Sequence, residues 1–326
     1  MQYRILGKTG LKVSEIGFGA WGIGGGMWGN TDDEEATKAL RRAFDLGINF
    51  FDTARVYGDA KNRDGHSEKL IGEFLKEIGR DKVYVASKVP PKNYEWPARS
   101  DVVISEVFPK DWIVQKVGES LKALRVETID LMQFHVWQDS YVENDDWKEA
   151  VQDLTKQGKV KHWGISINDY QPANVLRTLE TGLIDTVQFI FNIYHQDPEK
   201  ELLPFAKKNK IGLVARVPLD EGGLTGAVTP ETVFGDWRDG FFKGDRRKEV
   251  FERAKALLTV AGGEVQSLPE MALRWISSHD EVSTVIPGMR KASHVSENTR
   301  VPDGRKLSAP LMSKLVGHAW ERNFYQ

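Results

Sequence analysis

The sequence predicts an α/β fold, a (β/α)8 TIM barrel with an N-terminal β-hairpin and an extra C-terminal helix. Eight short apolar runs alternate with amphipathic helical patterns along the chain. The runs are rich in Val, Ile and Phe, which is typical of parallel strands buried on both faces. Alternating strands and helices indicate a parallel sheet, and eight repeats indicate a closed barrel. Because no Pro- or Ser-rich linker divides the 326 residues, we expect one domain over residues 1–326.

Additional elements are expected at both ends of the barrel sequence and in two long connections. QYRIL and LKVSEI flank the glycine-bearing turn at 7–10 and are typical of a hairpin. Residues 307–322 form the extra helix, since no strand follows them. Residues 90–109 and 220–244 are expected over the C-terminal mouth, where substrate loops of barrels lie. The eight strand candidates are EIGFGAW, INFFD, VYVASK, IDLMQFH, HWGIS, DTVQFI, GLVARV and STVIP.

Capping residues indicate where helices begin. Residues Thr31 to Glu34 fit a capping box, and Asp197-Pro198 places a proline at a first helical position. The acidic run 32–35 is better explained as a solvated first turn that complements the helix dipole than as a metal site. Further helices are expected to begin near Ser67, Asp111, Tyr170 and Asp245.

Composition and charge exclude several classes of protein. The chain has 45 basic and 47 acidic residues, a formal net charge of −2, which gives no support to nucleic-acid binding. It has no cysteine, so disulfides and thiolate chemistry are excluded. Neither a membrane-spanning apolar stretch nor a signal-peptide pattern is present, and we expect a cytoplasmic protein. No metal site is expected, because the histidines outside the barrel strand ends lack ligand spacing: His66, His162, His195, His279 and His318.

Four residues of different chemical types occur at or near three consecutive strand ends. Asp52 ends INFFD, Tyr57 follows it in the loop DTARVYG, Lys88 ends the third run and His135 ends the fourth. Each alone has an ordinary explanation: a turn cap, a rim aromatic, a lysine extending to solvent and a core histidine. The carboxyl ends of barrel strands converge on one site, so the combination predicts a shared catalytic pocket.

The chain resembles the aldo-keto reductases over nearly its full length. The resemblance rests on the order and spacing of GFGAWG, INFFDTARVYG, ASK, IDLMQFH, KVKHWGISIN, VQF, ARVPLDEGGLTG and IPGMRKASHVSEN. It implies that Asp52, Tyr57, Lys88 and His135 are the catalytic tetrad. It also implies an NADP(H)-dependent enzyme that reduces aldehyde or ketone carbonyls to alcohols.

The chemistry of the four residues agrees with that implication. A tyrosine with a pKa of about 10 donates a proton reluctantly near neutral pH. A nearby ammonium favours the phenolate, so Lys88 is expected to lower the pKa of Tyr57 while Asp52 pairs with Lys88. His135 is expected to hydrogen-bond the substrate carbonyl and to orient it.

A glycine-rich segment raises a different possibility. Residues 24–29, GGGMWG, satisfy G-x-G-x-x-G, and Asp52 ends the next strand, as the ribose-binding acid of a Rossmann fold does. However, Gly29 precedes the cap at Thr31, so the loop is longer than that motif requires. A Rossmann dehydrogenase would also leave Tyr57, Lys88 and His135 unexplained, so we favour a flexible mouth loop.

The cofactor contacts that the resemblance implies lie late in the chain. Ser166, Asn168 and Gln188 are expected at the nicotinamide amide. The segment 217–226 is expected around the pyrophosphate, where backbone N–H groups suit an anion, and Arg290 at the 2′-phosphate beside a helix N-terminus. The full implied set is Trp21, Ser166, Asn168, Gln188, Arg216, Val217, Pro218, Leu219, Glu221, Gly222, Thr225, Pro287, Gly288, Met289, Arg290, His294, Glu297 and Asn298.

Two of these positions depart from the family pattern. Arg216 stands where relatives usually carry an aromatic residue that stacks on the nicotinamide; a guanidinium is planar but cationic. We expect it to disfavour the oxidised cofactor unless Asp220 or Glu221 neutralises it. His294 stands where relatives often have Arg or Gln near the adenine. Five tryptophans are expected to line a hydrophobic pocket at the mouth, whereas Trp163 is expected in the core: Trp21, Trp28, Trp96, Trp137 and Trp237.

The sequence therefore predicts an NADPH-dependent carbonyl reductase with Tyr57 as proton donor and a small-molecule carbonyl substrate. An NADP-binding regulatory subunit with little turnover is the alternative within the same family, and a Rossmann dehydrogenase is the alternative outside it. The identity of the substrate, the direction of the reaction and the oligomeric state are left open.

Overall fold

The computed structural model describes residues 1–29, 32–59 and 63–325. Over these residues the chain forms a sheet of eight parallel strands and a separate antiparallel hairpin. The hairpin strands are β1 (Tyr3–Ile5) and β2 (Lys12–Ser14). The sheet strands are β3 (Phe18–Gly19), β4 (Phe50–Asp52), β5 (Tyr84–Val89), β6 (Ile129–His135), β7 (Val160–Ser166), β8 (Thr186–Ile190), β9 (Gly212–Arg216) and β10 (Thr284–Val285).

Helices alternate with these strands along the chain. Four helices of the described residues, in the inserted segments and after the last strand, are additions to the repeating unit: α3 (Ile104–Val107), α8 (Arg238–Phe241), α9 (Arg246–Ala261) and α12 (Ala309–Val316). The helices of the described residues are α1 (Asp33–Asp45), α2 (His66–Ile78), α3 (Ile104–Val107), α4 (Lys110–Leu124), α5 (Asp146–Lys156), α6 (Leu176–Glu180), α7 (Leu202–Asn209), α8 (Arg238–Phe241), α9 (Arg246–Ala261), α10 (Leu268–Ser277), α11 (Ala292–Asn298) and α12 (Ala309–Val316).

The sheet closes into a barrel where its first strand meets its last. The strands pair in sequence order from β3 to β10, and parallel bridges join Ile16 to Val285 and Gly19 to Gly288. A Cβ at Gly19 would lie 2.8 Å from the carbonyl oxygens of Ile286 and Pro287, so only glycine fits the seam at this approach. The predicted (β/α)8 barrel with an N-terminal hairpin is thereby confirmed.

Side chains inside the barrel are apolar at one end and polar at the other. Because successive strand residues point to opposite faces, Phe50 and Asp52 of β4 share the inner face, as do Leu131 and Gln133 of β6. The apolar members pack with Leu6 and other buried residues beside the hairpin, and the hairpin closes that end. The polar members lie toward the carboxyl ends of the strands.

The main apolar core lies between the barrel and its helices. Trp163 of β7 is 2% exposed and stacks on Phe134, which confirms its predicted core position. Trp137 is fully buried against Phe108 and Phe134, and its indole N–H donates to Thr178 Oγ1 at 2.9 Å. The prediction that Trp137 lines the mouth is therefore wrong. This indole supports the outer layer instead.

Several predicted helix starts are close to the structure, and one is wrong. The helices α2 and α4 begin one residue before Ser67 and Asp111, and Asp245 caps α9. The helix expected near Tyr170 begins only at Leu176, because Tyr170 has a left-handed backbone with φ of 56° and a turn follows it.

Three further helix predictions need adjustment. Thr31 lies outside the described residues, and Asp32 caps α1 by accepting from the Glu34 N–H at 2.8 Å. The Asp197-Pro198 pair opens a short 3-10 turn rather than α7. The extra C-terminal helix is present but covers Ala309–Val316, about half of the expected 307–322, since the chain leaves it to contact Tyr194 through the Trp320 N–H.

Candidate active site

The carboxyl ends of adjacent strands bring three of the four predicted catalytic side chains together. Asp52 ends β4, Lys88 lies near the end of β5, and His135 ends β6. These strands are neighbours in the sheet. Tyr57 follows β4 in a turn in which its N–H donates to the Ala54 carbonyl at 3.0 Å. The fold therefore places all four side chains in one pocket.

Lys88 is the centre of this arrangement. Its side chain is fully buried, and its Nζ lies 2.6 Å from Asp52 Oδ2 and 2.8 Å from the Thr53 carbonyl oxygen. The same Nζ lies 3.4 Å from the Tyr57 hydroxyl oxygen. An ammonium has three donors, so two of them fix the lysine in place and the third faces the phenol.

The Asp52 carboxylate is satisfied on both oxygens. Its Oδ1 accepts from Gln188 Nε2 at 2.7 Å and from Gln133 Nε2 at 3.2 Å, while Oδ2 accepts from Lys88. Asp52 is 2% exposed. A buried carboxylate that is paired and hydrogen-bonded in this way can hold a buried lysine at a fixed position.

Tyr57 lies in a partly buried aromatic environment. Its ring centroid is 6.1 Å from those of Trp21 and His135. Burial raises the pKa of Tyr57 above its ordinary value, and the Lys88 ammonium only partly opposes this rise. Lys88 therefore acts to lower the pKa of Tyr57, as expected, but the desolvation of the phenolate is the larger effect and raises the pKa overall. The group is a neutral phenol that can donate a proton.

His135 is neutral at physiological pH. Burial lowers its pKa well below the ordinary value, and the cations of Lys88 and Arg216 lower it further. Its Nδ1 atom is buried and has no hydrogen-bond partner among the described residues. The indole of Trp96 stands edge-on at 5.8 Å from the imidazole. A neutral imidazole beside a phenol can orient a carbonyl oxygen without adding charge.

A buried polar cluster behind the pocket was not singled out by sequence reasoning. Glu68 of α2 is fully buried and accepts from Ser87 Oγ at 2.6 Å, next to Lys88 in β5. Its second oxygen lies 3.5 Å from Arg55 in the loop that carries Tyr57, and Arg55 also bonds Glu119 at 3.0 Å. The sequence feature that could have indicated this cluster is the charged Arg55 within DTARVYG, because an arginine beside a buried strand end needs an acidic partner.

Four of the five predicted mouth tryptophans do lie at the mouth. Trp21, Trp28 and Trp237 contact one another with ring centroids 5.2 to 5.6 Å apart, and Trp96 stands beside His135. Trp21 also faces Tyr57, so the aromatic wall continues to the predicted proton donor. A pocket lined in this way favours apolar or aromatic substrates.

Of the three residues predicted at the nicotinamide, two lie beside the tetrad and one is bonded to a neighbouring loop. Ser166 and Gln188 are buried at the strand ends beside the tetrad, at the end of β7 and inside β8. Asn168 is 1% exposed, but its side chain bonds both the N–H and the carbonyl of Ala98, at 2.9 and 3.0 Å. Asn168 therefore contacts the connection that follows β5.

The loop after β9 has a sharply folded backbone. Val217, Asp220 and Glu221 have φ values between 52° and 54°, and Gly222 has 114°. Such values are uncommon for residues other than glycine and occur where tertiary contacts impose them. Leu219 packs against the core, Pro218 precedes it, and Thr225 Oγ1 donates to the Gly222 carbonyl at 2.6 Å.

The C-terminal tail holds this loop. Arg322 pairs with the buried Asp220, and the Tyr325 hydroxyl donates to Glu221. Burial raises the pKa of Glu221 to about 7, and the Tyr325 hydrogen bond opposes that rise. Both acidic side chains are thus bonded to the tail, and the Arg216 charge also acts on Glu221.

Arg216 forms an ion pair with Asp169, an acid that the sequence analysis did not name. Its Nη2 atom lies 2.6 Å from Asp169 Oδ1 and 3.1 Å from the Ile167 carbonyl oxygen. Asp169 is thus its ion-pair partner, and Glu221 lies close enough for the Arg216 charge to lower the pKa of Glu221. Arg216 also lies close enough to His135 and Tyr57 to affect their pKa values. Arg216 is therefore a charged neighbour of the pocket that holds the four predicted catalytic residues.

The segment after β10 reaches the mouth next to the tryptophans. Arg290 NH1 donates to the Trp28 carbonyl at 3.3 Å, and its guanidinium lies 5.9 Å from the Trp28 ring. The other residues predicted from this segment fall just before α11 or within it: Pro287, Gly288, Met289, His294, Glu297 and Asn298. Met289 and Asn298 are buried, whereas Glu297 is exposed.

The glycine-rich segment does not form a Rossmann turn. Residues 21–23 and 26–28 are short 3-10 turns, and α1 begins only at Asp33. A Cβ at Gly24 would lie 2.8 Å from the Tyr57 carbonyl oxygen, so glycine permits the loop to pass against the Tyr57 backbone. The barrel topology excludes the Rossmann alternative, which needs an open sheet.

The donor set fits a nicotinamide dinucleotide. No group of three His, Cys, Asp or Glu side chains within 1–29, 32–59 and 63–325 could hold a metal. The partly exposed guanidinium of Arg290 and the folded 217–222 backbone offer donors to anionic phosphates. Across the described helices, none is long and apolar enough to cross a bilayer.

Comparison with known proteins gives the family. The sequence model of the Aldo/keto reductase family matches residues 15–318. Aldo-keto reductase YhdN of Bacillus subtilis (strain 168) is 33% identical over 297 residues, 89% of this chain and 86% of that protein. The chain therefore belongs to the aldo/keto reductase family, a class of oxidoreductases.

Solved structures agree with this assignment. The glycerol dehydrogenase AKR11B4 from Gluconobacter oxydans matches with a TM-score of 0.79 and 29% identity, covering 97% of this chain and 94% of that one. The aldo-keto reductase AKR11C1 from Bacillus halodurans, in its holo form, matches with a TM-score of 0.76 and 25% identity over the full length of both chains.

Proposed function

We propose that this protein is an NADPH-dependent reductase that converts aldehyde or ketone carbonyls to alcohols, with Tyr57 as the proton donor. The observation that carries the proposal is the buried Lys88 ammonium, held by Asp52 at 2.6 Å and facing the Tyr57 hydroxyl at 3.4 Å. The buried ammonium lies where negative charge forms on the phenol oxygen as it gives up its proton.

Each side chain has a distinct task in the proposed reaction. The hydride that the carbonyl carbon accepts would come from NADPH when it is bound. Tyr57 donates its proton to the carbonyl oxygen as charge develops there, and Lys88 stabilises the resulting phenolate. The neutral His135 donates a hydrogen bond to the same oxygen and orients it. The indoles of Trp21 and Trp96 exclude water around the reacting centre.

The preference for the phosphorylated cofactor is assigned to Arg290. Its guanidinium lies at the mouth, where one hydrogen bond to Trp28 leaves further donors for a ligand. An arginine recognises phosphate through charge-assisted, often bidentate, hydrogen bonds. Glu297 and Asn298 on α11 are assigned to the adenine, and the 217–222 loop to the pyrophosphate.

The proposal is tested by measuring NADPH consumption, by absorbance, with a panel of aliphatic and aromatic aldehydes and ketones. Saturable turnover with at least one class of carbonyl supports it. Tight NADPH binding without turnover across the panel contradicts it and favours the alternative of a regulatory subunit. The matched control is NADH at the same concentrations, which separates dependence on NADPH from a general use of nicotinamide cofactors.

A further inference from the structure

Four carboxamide side chains form a closed hydrogen-bonded ring around the peptide of Ala98. The ring is built from Gln138, Asn168, Gln171 and Asn174, which follow β6 and β7. Ala98 lies 5% exposed in the connection after β5. Both polar groups of its main chain are engaged by these side chains, so the ring fixes the backbone of this connection from outside.

The bonds run in an unbroken order. The Ala98 carbonyl accepts from Gln138 Nε2 at 2.6 Å and from Asn168 Nδ2 at 3.0 Å. Gln138 Oε1 accepts from Asn174 Nδ2 at 2.8 Å. Gln171 Oε1 accepts from Asn174 Nδ2 at 2.7 Å and from Asn168 Nδ2 at 3.1 Å, which closes the ring.

Asn168 is committed to this ring by its own donor count. A carboxamide nitrogen carries two hydrogens, and those of Asn168 go to the Ala98 carbonyl and to Gln171. Its Oδ1 accepts the Ala98 N–H at 2.9 Å. To donate to a nicotinamide amide as well, Asn168 would have to break a bond in a network that is 1% exposed at this residue, where unpaired groups are costly.

The ring is coupled to the catalytic pocket through Trp96. Trp96 precedes Ala98 by two residues, and its indole stands 5.8 Å from the His135 imidazole. A fixed Ala98 backbone limits where this indole can lie. Release of the backbone would let the wall beside His135 move, which changes the shape presented to a substrate.

We propose that the carboxamide ring is a positioning device for substrate specificity, and that Asn168 acts through it on the Trp96 wall rather than on the nicotinamide. The part that concerns substrates rests on the proposed function. Carbonyl compounds that are large enough to reach Trp96 depend on the ring, and small aliphatic carbonyls do not.

Two isosteric variants break the ring at different places. Asn168→Asp keeps the acceptor for the Ala98 N–H but sets a second oxygen against two acceptors, the Ala98 carbonyl and Gln171 Oε1. Asn174→Asp keeps the acceptor for the Asp139 N–H, bonded at 2.8 Å, and opposes the Gln138 and Gln171 oxygens. Asn209→Asp, at the exposed end of α7, is the matched control.

The primary measurement is amide hydrogen exchange over residues 93–103 in the protein without cofactor, which does not depend on activity. We expect faster exchange in both ring variants and unchanged exchange in the control. NADPH affinity should stay within about twofold. The KM for aromatic ketones should rise about tenfold, which corresponds to about 1.4 kcal/mol, while the KM for small aldehydes is retained.

Two outcomes would overturn the proposal. Exchange over 93–103 that is unchanged in both ring variants would show that the ring does not fix the connection. NADPH affinity weakened about tenfold in Asn168→Asp but not in Asn174→Asp would assign Asn168 to the nicotinamide. If Asn168→Asp does not fold, Asn174→Asp decides alone. If neither parent nor variants turn over any carbonyl, the proposed function fails, and the exchange result still decides the role of the ring.

Discussion

The Lys88 Nζ atom lies 3.4 Å from the Tyr57 hydroxyl oxygen, whereas its bonds to Asp52 and to the Thr53 carbonyl are shorter, at 2.6 and 2.8 Å. The ammonium is therefore fixed by Asp52 and the Thr53 carbonyl, and the phenol is the group that can adjust to it. This order of bond lengths predicts that the position of Lys88 depends on Asp52 rather than on Tyr57.

The replacement Asp52→Asn tests this dependence. It keeps the shape of the side chain but removes its negative charge. The Lys88 ammonium, which is fully buried and paired with Asp52 at 2.6 Å, is then left uncompensated. Removing one partner of a buried ion pair costs about 3–5 kcal/mol. We expect lower stability to denaturant and a fall in kcat of at least about tenfold. Unchanged stability and unchanged kcat would show that Asp52 does not hold the lysine.

The neutral state of His135 predicts the shape of the pH profile. An unfolded imidazole titrates near about pH 6.5, and burial lowers the pKa of His135 well below that value in the folded protein. Below about pH 6.5 the unfolded state therefore binds more protons, and this residue makes the folded state less stable as the pH falls.

For catalysis, the same direction predicts that kcat/KM shows no acidic limb near pH 6.5 from His135. The measurement is kcat/KM from about pH 5.5 to 8 in the parent and in His135→Gln, which keeps a hydrogen-bond donor. The two profiles should have the same shape, with the variant lower throughout. An acidic limb that is present in the parent and absent from His135→Gln would contradict the assignment.

Arg290 predicts a difference between the two nicotinamide cofactors. A charge-assisted hydrogen bond contributes about 1.5–3 kcal/mol, or roughly a ten- to hundredfold change in affinity. Arg290→Ala should weaken NADPH by that factor and leave NADH nearly unchanged, as measured by titration of each cofactor. Arg300→Ala, at an exposed arginine that follows α11, is the control. Equal losses for NADPH and NADH would remove Arg290 from the phosphate site.

The Arg216–Asp169 pair predicts a bias between the redox forms of the cofactor. If the guanidinium lies beside the nicotinamide, its charge disfavours the oxidised, cationic ring, and Asp169 at 2.6 Å offsets part of this effect. Arg216→Tyr should therefore shift affinity toward NADP⁺, and Asp169→Asn should shift it toward NADPH. Titration of both forms resolves a change of about threefold, which is less than 1 kcal/mol. Affinity ratios that stay constant in both variants would place Arg216 away from the ring.

The barrel and the location of the pocket were accessible to sequence reasoning because both depend on short-range patterns. Apolar runs fix where strands occur, and the residues at their ends must converge when the sheet closes. Asp52, Lys88 and His135 are brought together for this reason alone. The shared inner face of Phe50 and Asp52 follows from the two-residue period of a strand.

Side-chain partners over long sequence distances were not accessible in the same way. Asp169 and Arg216 are 47 residues apart, and Asp220 and Arg322 are 102 apart, so charge and spacing alone could not identify these pairs. Trp137 follows a strand end, as mouth residues do, but the chain turns it outward into the helix layer. Such choices are decided by packing after the elements have formed.

Competition from side-chain hydrogen bonds explains why no helix begins near Tyr170, where one was expected. Side chains of Gln171 and Asn174 bond to each other and to neighbouring loops rather than leaving the backbone free to form a helix. Asn side chains compete with helical backbone bonds in this way. The net rise in the pKa of Tyr57 was not accessible for a different reason, because burial of the phenol cannot be judged from sequence spacing.

The role of Tyr57 is tested most directly by comparing NADPH oxidation in the parent, in Tyr57→Phe and in Tyr3→Phe. Tyr3 is a hairpin tyrosine, 39% exposed, and serves as the control for loss of a hydroxyl. Loss of a general acid is expected to lower kcat by at least about a hundredfold, with NADPH affinity unchanged because Tyr57 is not assigned to the cofactor. Tyr3→Phe should retain the parent rate. A Tyr57→Phe variant that reduces carbonyls at nearly the parent rate would contradict the central claim that this phenol supplies the proton.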